Sequence, residues 1–434
     1  MPLEPFELRP GDDRPCYDMA VQTMPRERMR EIRERRLRET VARVFTKPVP
    51  FFRRKLAAAG VTDPRDITSL DDLRAIPVTV KQELRDSEAE HPPVGDYRGT
   101  DVRENVKLGT STGTTGTPTV CLWTKRDLLI DCEAGARMFW AMGIRPGHVI
   151  THAHPSYLYG GGALQTLAYE HLGCLTMHVP PPDDEELAEK GLRMWQRLPP
   201  DFPFMGFSTG AFITHAERLG LTPQEVGLDF SRMPNLGGSD GTLGLSTAGA
   251  ECFAYLGAPC GDRRGSHLAE DYTCVEILDP DGDPVPDGTW GRLVVTTFGR
   301  DNFLLRYDLE EVAKTDSSPC GCPQTSVRGW WGGREKDLIT VQGRSLLLPE
   351  IERTLRTVRA LSPLEYQVVR PAGRDAALRI RVERGRSSEE PIEVLADAVR
   401  DAFTKLDIVV DPEILPRDTL PRAGYKSTRV VTEP

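Results

Sequence analysis

Residues 109–119 read Gly-Thr-Ser-Thr-Gly-Thr-Thr-Gly-Thr-Pro-Thr and follow a short strand-like run at 106–108. Glycines let backbone N–H groups approach an anion closely, and small hydroxyl side chains add donors without bulk. The stretch therefore predicts a phosphate-binding loop. It is not a Walker loop, because the Gly-Lys-Ser/Thr ending is missing. A flexible linker rich in Ser, Thr and Gly is the alternative that this stretch alone leaves open.

The composition is that of a globular protein of 434 residues, 39% of them hydrophobic, with length for about three domains. Its 55 basic and 65 acidic residues give a net charge of −10 that is spread along the chain. Because a nucleic-acid binder needs a dense basic face, we expect no nucleic-acid partner. No run of about 18 apolar residues and no signal-peptide pattern occurs, so we expect no membrane partner and a cytoplasmic location.

Hydrophobic periodicity predicts a helical segment over residues 1–100 and alternating helices and strands after it. The predicted helices are 25–45, 52–59, 68–74, 128–142 and 185–198, and the predicted strands are 149–152, 174–179, 275–278 and 292–297. The alternation favours an α/β fold class with mostly parallel sheets, although the pattern turns to β from residue 273 onward.

A domain boundary is indicated near residues 332–336, where two glycines and three charged residues follow two tryptophans. Beyond it the chain has strand and helix signals of its own, at 338–341, 350–357, 378–383 and 392–403. We therefore predict a large multi-layer domain over 1–333 and a small α/β domain over 334–434.

Segments on both sides of the predicted loop carry further motifs, which lie at 52–56, 59–61, 70–74, 81–85, 270–271, 304–307, 333–334, 343, 349–352, 420–422, 426 and 429–430. Together with the loop they resemble the adenylate-forming superfamily of acyl-CoA ligases and adenylation domains, and most closely its phenylacetate-coenzyme A ligase branch. The resemblance covers most of the chain. It implies ATP- and Mg²⁺-dependent activation of a small carboxylic acid as an acyl adenylate, with coenzyme A as the expected acceptor and a mobile C-terminal lid domain.

The resemblance also assigns roles to single residues. Lys426 matches the lysine that neutralises charge between the carboxylate and the α-phosphate, and Lys336 matches the interdomain hinge residue. An exposed lysine without a role is the alternative at both positions. We place at Glu251 the glutamate that lines the adenine and helps to hold magnesium. The residues expected to bind the nucleotide are Ser111, Thr112, Gly113, Thr114, Thr115, Gly116, Gly238, Glu311 and Arg334, and those expected to line the acid pocket are Tyr157, Tyr159 and Gly161.

Three features depart from the pattern of the branch. Thr117 stands where the loop usually carries a lysine, which predicts a weaker phosphate contact. Glu311 stands where the residue that grips the ribose is usually an aspartate. The stretch 236–265 is shorter than in relatives, and the placement of Glu251 depends on its alignment.

The chain has nine cysteines, most of them placed singly like small buried hydrophobes. Cys320 and Cys322 are one residue apart, and Cys260 precedes His267 by seven residues. Some relatives show a matching set that binds zinc, so the resemblance implies a closed structural Zn²⁺ site on these four residues. Cys252 is the substitute ligand if the register differs.

Two other functions remain open from the sequence. The enzyme can pass the acyl group to an amine or to a carrier protein instead of coenzyme A. Alternatively, the departures mark a degenerate member that binds a nucleotide or a partner without turnover. An acid of aryl or aryl-acetic type is expected, whereas its identity and the formation of a homodimer stay undecided.

Overall fold

The computed structural model describes residues 13–111, 118–152, 158, 160–178, 185–204, 209–222, 224–227, 243–247, 249, 251, 253–262, 264–362, 364–370, 373, 376–385, 388–421 and 429–432. The α-helices in this part are α1 Met19–Gln22, α2 Arg26–Thr46, α3 Pro50–Ala58, α4 Lys81–Glu90, α5 Lys125–Ala141, α6 Gly160–Leu172, α7 Glu185–Arg197, α8 Thr209–Arg218, α9 Leu348–Arg356 and α10 Ile392–Thr404. Within these bounds no helix has both the length and the apolar content to cross a bilayer.

The strands are short, as expected for connected α/β layers. They are β1 Lys107–Thr110, β2 Val120–Trp123, β3 Val149–His152, β4 Leu175–His178, β5 Phe202–Phe204, β6 Leu243–Gly244, β7 Gly257–Pro259, β8 Ser266–Leu268, β9 Thr273–Leu278, β10 Gly291–Thr297, β11 Tyr307–Asp316, β12 Arg328–Arg334, β13 Ile339–Val341, β14 Arg344–Leu346, β15 Tyr366–Val369, β16 Leu378–Glu383, β17 Val410–Leu415 and β18 Val430–Val431.

The N-terminal helices form where periodicity places them, with one correction. Helix α2 buries Met29, Leu37, Val41 and Val44 along one face, which is the amphipathic pattern that predicted it. The predicted helix over 68–74 is instead a 3₁₀ turn at Asp71–Ala75. The Asp72 carboxylate accepts the backbone N–H groups of residues 68 and 69, so a local turn satisfies these donors and no α-helical turn forms.

The expectation of mostly parallel sheets holds for two sheets and fails for the largest one. The sheet β17-β16-β15-β18 has two parallel pairs and one antiparallel pair. Strands β4, β3 and β5 form a parallel sheet in that order. A seven-stranded sheet has the order β7-β8-β12-β11-β10-β9, with β6 beside β12, and its pairs β9–β10, β8–β12 and β7–β8 are antiparallel. The turn that begins at Asp279 lies between β9 and β10, and such a chain reversal pairs consecutive strands antiparallel.

Contacts divide the chain into two units. The first comprises residues 1–239, 244–309 and 314–330, and the second comprises 240–243, 310–313 and 331–434. The second unit has a core of its own, in which α9 and α10 pack their apolar faces with the sheet β17-β16-β15-β18. The boundary between residues 333 and 334, and the mobility of the small domain, stay predictions.

Candidate active site and metal site

The predicted phosphate loop lies between β1 and β2, which pair antiparallel. Its two ends are held together by Ser111 and Thr119. The Ser111 N–H donates to the Thr119 carbonyl at 2.9 Å, and the Thr119 N–H donates to Ser111 Oγ at 3.0 Å. Both side chains are buried. The pairing of β1 with β2 and the reciprocal hydrogen bonds between Ser111 and Thr119 therefore fix both ends of the predicted loop.

The loop also begins beside the segment that the resemblance assigns to the acid pocket. The Thr110 N–H donates to the Leu158 carbonyl at 2.6 Å. A Cβ on Gly109 would lie 3.1 Å from Gly160 Cα at the start of α6, so glycine allows this approach. Gly161 is in the first turn of α6. The other predicted pocket residues, Tyr157 and Tyr159, lie outside the described residues, as do Thr112 to Gly116, Gly238 and Lys426.

Glu251 is the predicted site residue with the most detailed surroundings. Lys81 Nζ donates to Glu251 Oε1 at 3.0 Å, and the Tyr307 hydroxyl donates to the same oxygen at 3.2 Å. The carboxylate side chain is 7% exposed and that of Lys81 is 19% exposed. A Cβ on Gly249 would lie 2.8 Å from the Glu251 carboxylate, so glycine leaves room for the carboxylate in this position. We call Glu251, Lys81 and Tyr307 the Glu251 centre.

The electrostatics of this centre favour an ionised carboxylate. Burial raises the pKa of Glu251, but the Lys81 ammonium and the hydrogen bonds outweigh burial and leave the pKa below its ordinary value. Burial and then the charge of Glu251 raise the pKa of the Cys121 thiol on β2. The Glu251 centre therefore lies close to the strand by which the predicted phosphate loop returns.

Two backbone contacts bring Lys81 and Tyr307 together. The Thr79 N–H donates to the Arg306 carbonyl at 2.7 Å, and the Asp308 N–H donates to the Thr79 carbonyl at 2.9 Å. This parallel bridge sets the start of α4 beside the start of β11. Both residues lie in the motifs at 81–85 and 304–307 that carry the family resemblance, but the sequence assigned no role to either of them. Lys81 and Glu251 are separated by 170 positions in the sequence, and no spacing signal would have found the pair.

The predicted ribose and hinge residues lie in the second unit. The Trp331 Nε1–H donates to Glu311 Oε2 at 3.2 Å, and Arg334 Nε donates to Asp337 Oδ2 at 2.8 Å. Lys336 is exposed in a 3₁₀ turn at Glu335–Asp337, and its carbonyl accepts a hydrogen bond from the Arg370 side chain. The roles of these residues toward a nucleotide and as a hinge stay predictions.

The four predicted zinc ligands come together. One ligand atom from each of Cys260, His267, Cys320 and Cys322 lies within 4.8 Å of all the others. Cys260 Sγ is 3.9 Å from Cys320 Sγ and 3.7 Å from Cys322 Sγ, and His267 Nε2 is 3.3 and 3.1 Å from the same two sulfurs. Two sulfurs at about 2.3 Å from a tetrahedral ion are about 3.8 Å apart. We call these residues the metal-ligand group.

Surrounding contacts orient this group. His267 Nδ1 is 2.7 Å from the Ser326 carbonyl, so it carries the proton and leaves Nε2 as the ligand atom. The Cys320 and Cys322 sulfurs are 3.1 Å apart, too far for a disulfide bond of about 2.05 Å. Hydrogen bonds from Cys322 and His267 lower the pKa of the Cys260 thiol, which favours a thiolate within the group.

Comparison with known proteins gives the chain a family. The phenylacetate-coenzyme A ligase of Thermus thermophilus is 32% identical over 412 residues, which are 90% of this chain and 89% of that protein. The ligase of the same name from Escherichia coli K12 is 26% identical and covers 94% of this chain and 96% of its own. No family model matches the chain.

A solved structure shows the same fold. The crystal structure of 2-hydroxyisobutyryl-CoA ligase in the postadenylation state, in complex with 2-HIB-AMP, has a TM-score of 0.84 and 22% identity and covers 99% of this chain and 94% of that chain. The predicted α/β fold class and superfamily are confirmed. Through its Thermus relative and this shared fold, the chain belongs to the phenylacetate-coenzyme A ligase family and is an AMP-forming carboxylate–coenzyme A ligase of the adenylate-forming superfamily.

Proposed function

We propose that the enzyme activates an acid of aryl or aryl-acetic type as the acyl adenylate and passes the acyl group to coenzyme A. The observation that carries the proposal is the reciprocal hydrogen bonding of Ser111 and Thr119. It closes a loop whose residues offer N–H and O–H donors without bulk, as a polyphosphate requires. The names of the curated relatives support the acid class.

The reaction requires positioning and charge stabilisation, with no covalent bond to the protein. The carboxylate of the acid attacks the α-phosphate and pyrophosphate leaves, after which the thiol displaces AMP. In this proposal the loop at 111–116 binds the phosphates, Gly238 lies at the adenine, and Glu311 and Arg334 bind the ribose. Lys426 stabilises the charge that develops in the first step.

The Glu251 centre fits the role of a magnesium site residue. The two side-chain donors that Glu251 has among the described residues both contact Oε1, so Oε2 can offer a lone pair to Mg²⁺, which prefers carboxylate oxygen. When bound, the ion would neutralise phosphate charge. Lys81 and Tyr307 fix the rotamer of the carboxylate and keep it ionised.

An exchange assay tests the proposal. ATP–pyrophosphate exchange should depend on an acid from an aryl and aryl-acetic panel, and addition of coenzyme A should yield the thioester and AMP. Exchange without thioester formation would favour an amine or a carrier protein as acceptor. Absence of exchange with every acid would leave only the non-catalytic alternative. Because the reaction draws on ATP and coenzyme A, the proposal includes a cytoplasmic location.

We further propose that the metal-ligand group binds one structural Zn²⁺. Three sulfurs and one imidazole nitrogen complete a tetrahedron and leave no open position for a substrate. The short segment that carries Cys320 and Cys322 also docks on the N-terminal segment. The Gln22 side chain donates to Gln324 at 2.9 Å, and the Thr325 N–H donates to the Gln22 carbonyl at 3.0 Å. A metal ion here would therefore hold the N-terminal helices in place.

A buried carboxylate strengthens the same connection. Glu270 is 4% exposed and accepts the Val327 N–H at 3.0 Å. It also pairs with Arg26 and Arg33 on α2. Chelation of the metal should therefore speed proteolysis within α2, whereas a chelator should leave cleavage unchanged if the group holds no ion.

A further inference from the structure

The outer edge of β2 is held by an ion pair instead of a neighbouring strand. Among the described strands β2 pairs with β1 alone, so the backbone groups on its other edge need side-chain partners. Glu88 Oε1 accepts the Val120 N–H at 3.1 Å, and the Arg98 guanidinium donates to the Val120 carbonyl. Arg98 Nη2 lies 3.7 Å from Glu88 Oε1, and both side chains are largely buried. We call these two residues the β2 edge pair.

Tyr97 orients both members of this pair. Its hydroxyl donates to Glu88 Oε1 at 2.6 Å, and Arg98 Cζ lies 4.2 Å from the centre of its ring. A buried ion pair often contributes no more folding free energy than apolar side chains of similar size. Stability alone therefore does not explain two charged residues at this edge, whereas their contacts with both backbone groups of Val120 fix the position of the strand.

The residue that the pair holds is next to the end of the predicted phosphate loop. Val120 directly follows Thr119, whose hydrogen bonds with Ser111 close the loop. In the register of β1 with β2, Val120 lies opposite Thr110. A displacement of Val120 would therefore displace the end of the loop and the donors that the loop carries.

Helix α4 connects the β2 edge pair with the Glu251 centre. Lys81 and Glu88 both belong to α4 and are seven residues apart, so they lie on one face of the helix with about 10 Å between them along its axis. Lys81 contacts Glu251 at one end of this face, and Glu88 contacts Val120 at the other. One helix therefore sets the distance between the carboxylate proposed for magnesium and the predicted phosphate loop.

We propose that Glu88 and Arg98 are positioning residues for the triphosphate of ATP, which act by fixing Val120 and with it the end of the phosphate loop. The inference rests on the proposed function, in which the loop at 111–116 binds the phosphates and Glu251 helps to hold Mg²⁺. Because the ion and the loop bind the same polyphosphate, their separation has to match it. A misplacement of about 1 Å can cost about a hundredfold in rate. Neither member of the pair touches the substrate.

The test compares Glu88→Ala, which removes the acceptor of the Val120 N–H, with Glu88→Gln, which keeps an oxygen in its place. The probe is α,β-methylene-ATP with Mg²⁺, which cannot be cleaved between these phosphates, and its affinity is measured by calorimetric titration. Glu88→Ala should lower the affinity about tenfold or more, because the loop donors lose their alignment. Glu88→Gln should stay within about threefold of the wild type, because an amide oxygen still accepts the N–H.

Two control variants separate positioning from stability. Glu90→Ala removes an exposed carboxylate from the same helix and should bind the analogue as the wild type does. Val41→Ala leaves a space on the buried face of α2, so it should lower the melting temperature at an unchanged affinity. If Glu88→Ala does not fold, the double variant Glu88→Leu with Arg98→Met replaces both charges by apolar side chains. It should fold and still show the loss of affinity.

Two further measurements show which step depends on the pair. AMP, which lacks the β- and γ-phosphates, should lose less affinity in Glu88→Ala than the analogue does. Thioester formation from a supplied acyl adenylate uses no triphosphate and should keep its wild-type rate. The proposal is overturned if Glu88→Ala binds the analogue as tightly as the wild type, or if AMP and the analogue lose affinity equally. A wild-type protein that binds neither nucleotide would refute the proposed function itself.

Discussion

The metal-ligand group and the Glu251 centre both join segments that are distant in sequence, but they use different kinds of residue. The group consists of three cysteines and a histidine, which are the residue types that zinc prefers. The centre consists of a glutamate, a lysine and a tyrosine, whose side chains most often lie at the surface or pack without a special role. Residue types with metal-ligand chemistry therefore indicate a site in the sequence, whereas a buried ion pair becomes visible only in the fold.

The two sites also differ in what they can contribute. A closed group of four ligands contributes folding free energy and has no position for a substrate. The Glu251 centre combines a buried charge pair with a place beside the predicted phosphate loop, so under the proposed function we expect it to affect both stability and the reaction. Two variants test these contributions, and two more test residues outside both sites, from the largest expected effect to the smallest.

Removal of two metal ligands should have the largest effect. The purified protein should hold about one zinc per chain, and the double variant Cys320→Ser and Cys322→Ser should hold none and melt at a lower temperature. Activity per folded molecule should not change. The control is Cys174→Ser, which alters a buried thiol outside the group and should keep the metal. Metal analysis that finds no zinc in protein prepared without chelator would contradict the site.

Removal of the Lys81 ammonium should destabilise the fold by about 3 kcal/mol at pH 7, because Lys81→Met leaves the Glu251 carboxylate buried and unpaired. We take the lower end of the range for buried pairs since Lys81 is partly exposed. Urea unfolding measures the change. The double variant Lys81→Met with Glu251→Gln should recover most of it, and an unchanged free energy of unfolding would show that the pair contributes nothing.

The same variant should alter how stability depends on pH. In the wild type the pKa of Glu251 is lowered, so its stabilisation is present above the unfolded pKa and is lost as the pH falls through the lower folded pKa. Without Lys81, burial dominates and raises the folded pKa above the unfolded one. The deficit of Lys81→Met should therefore be largest at pH 7 and shrink as the pH falls toward 5. An equal deficit at both pH values would contradict the assigned charge state.

Two strands and one buried ion pair show which parts of the structure can be predicted from the sequence and which cannot. Strand β16 occupies Leu378–Glu383, as its alternation predicts. Strand β17 contains Pro412, which argues against a central strand; it forms because β17 lies at the edge of its sheet, where a missing N–H is tolerated. The contact of Lys81 with Glu251 depends on the bridge between Thr79 and Tyr307, a tertiary contact that no local pattern encodes. Local periodicity therefore predicts elements, whereas sheet edges and buried pairs depend on the assembled chain.

The variant Lys426→Ala should lower the rate of adenylation without changing the free energy of unfolding. In this it should differ from variants of the metal-ligand group and the Glu251 centre, which should lower stability. Loss of one positioned charge should reduce ATP–pyrophosphate exchange about a hundredfold or more. Thioester formation from a supplied acyl adenylate should survive, because in the proposed rotation of the small domain Lys426 has left the site before AMP is displaced. Lys405→Ala, at an exposed position just after α10, is the control and should behave as the wild type. Exchange at the wild-type rate in Lys426→Ala would refute the role.

The smallest effect is expected at Lys336, where substitution should change only the coupling of adenylation to thioester formation. Under the proposed function Lys426 enters the site for adenylation and the thiol uses that space in the second step, so we expect the small domain to rotate about residues near Lys336. Lys336 lies in an exposed 3₁₀ turn, where a φ near −65° is tolerated and proline can fold in place. Lys336→Pro should therefore keep exchange within about twofold of the wild type while thioester formation falls about tenfold, because proline removes the backbone freedom that a hinge uses. Lys336→Ala removes the side chain but keeps that freedom, and it should retain both steps. If Lys336→Pro melts normally and lowers both steps equally, or neither, then the rotation does not pass through this residue.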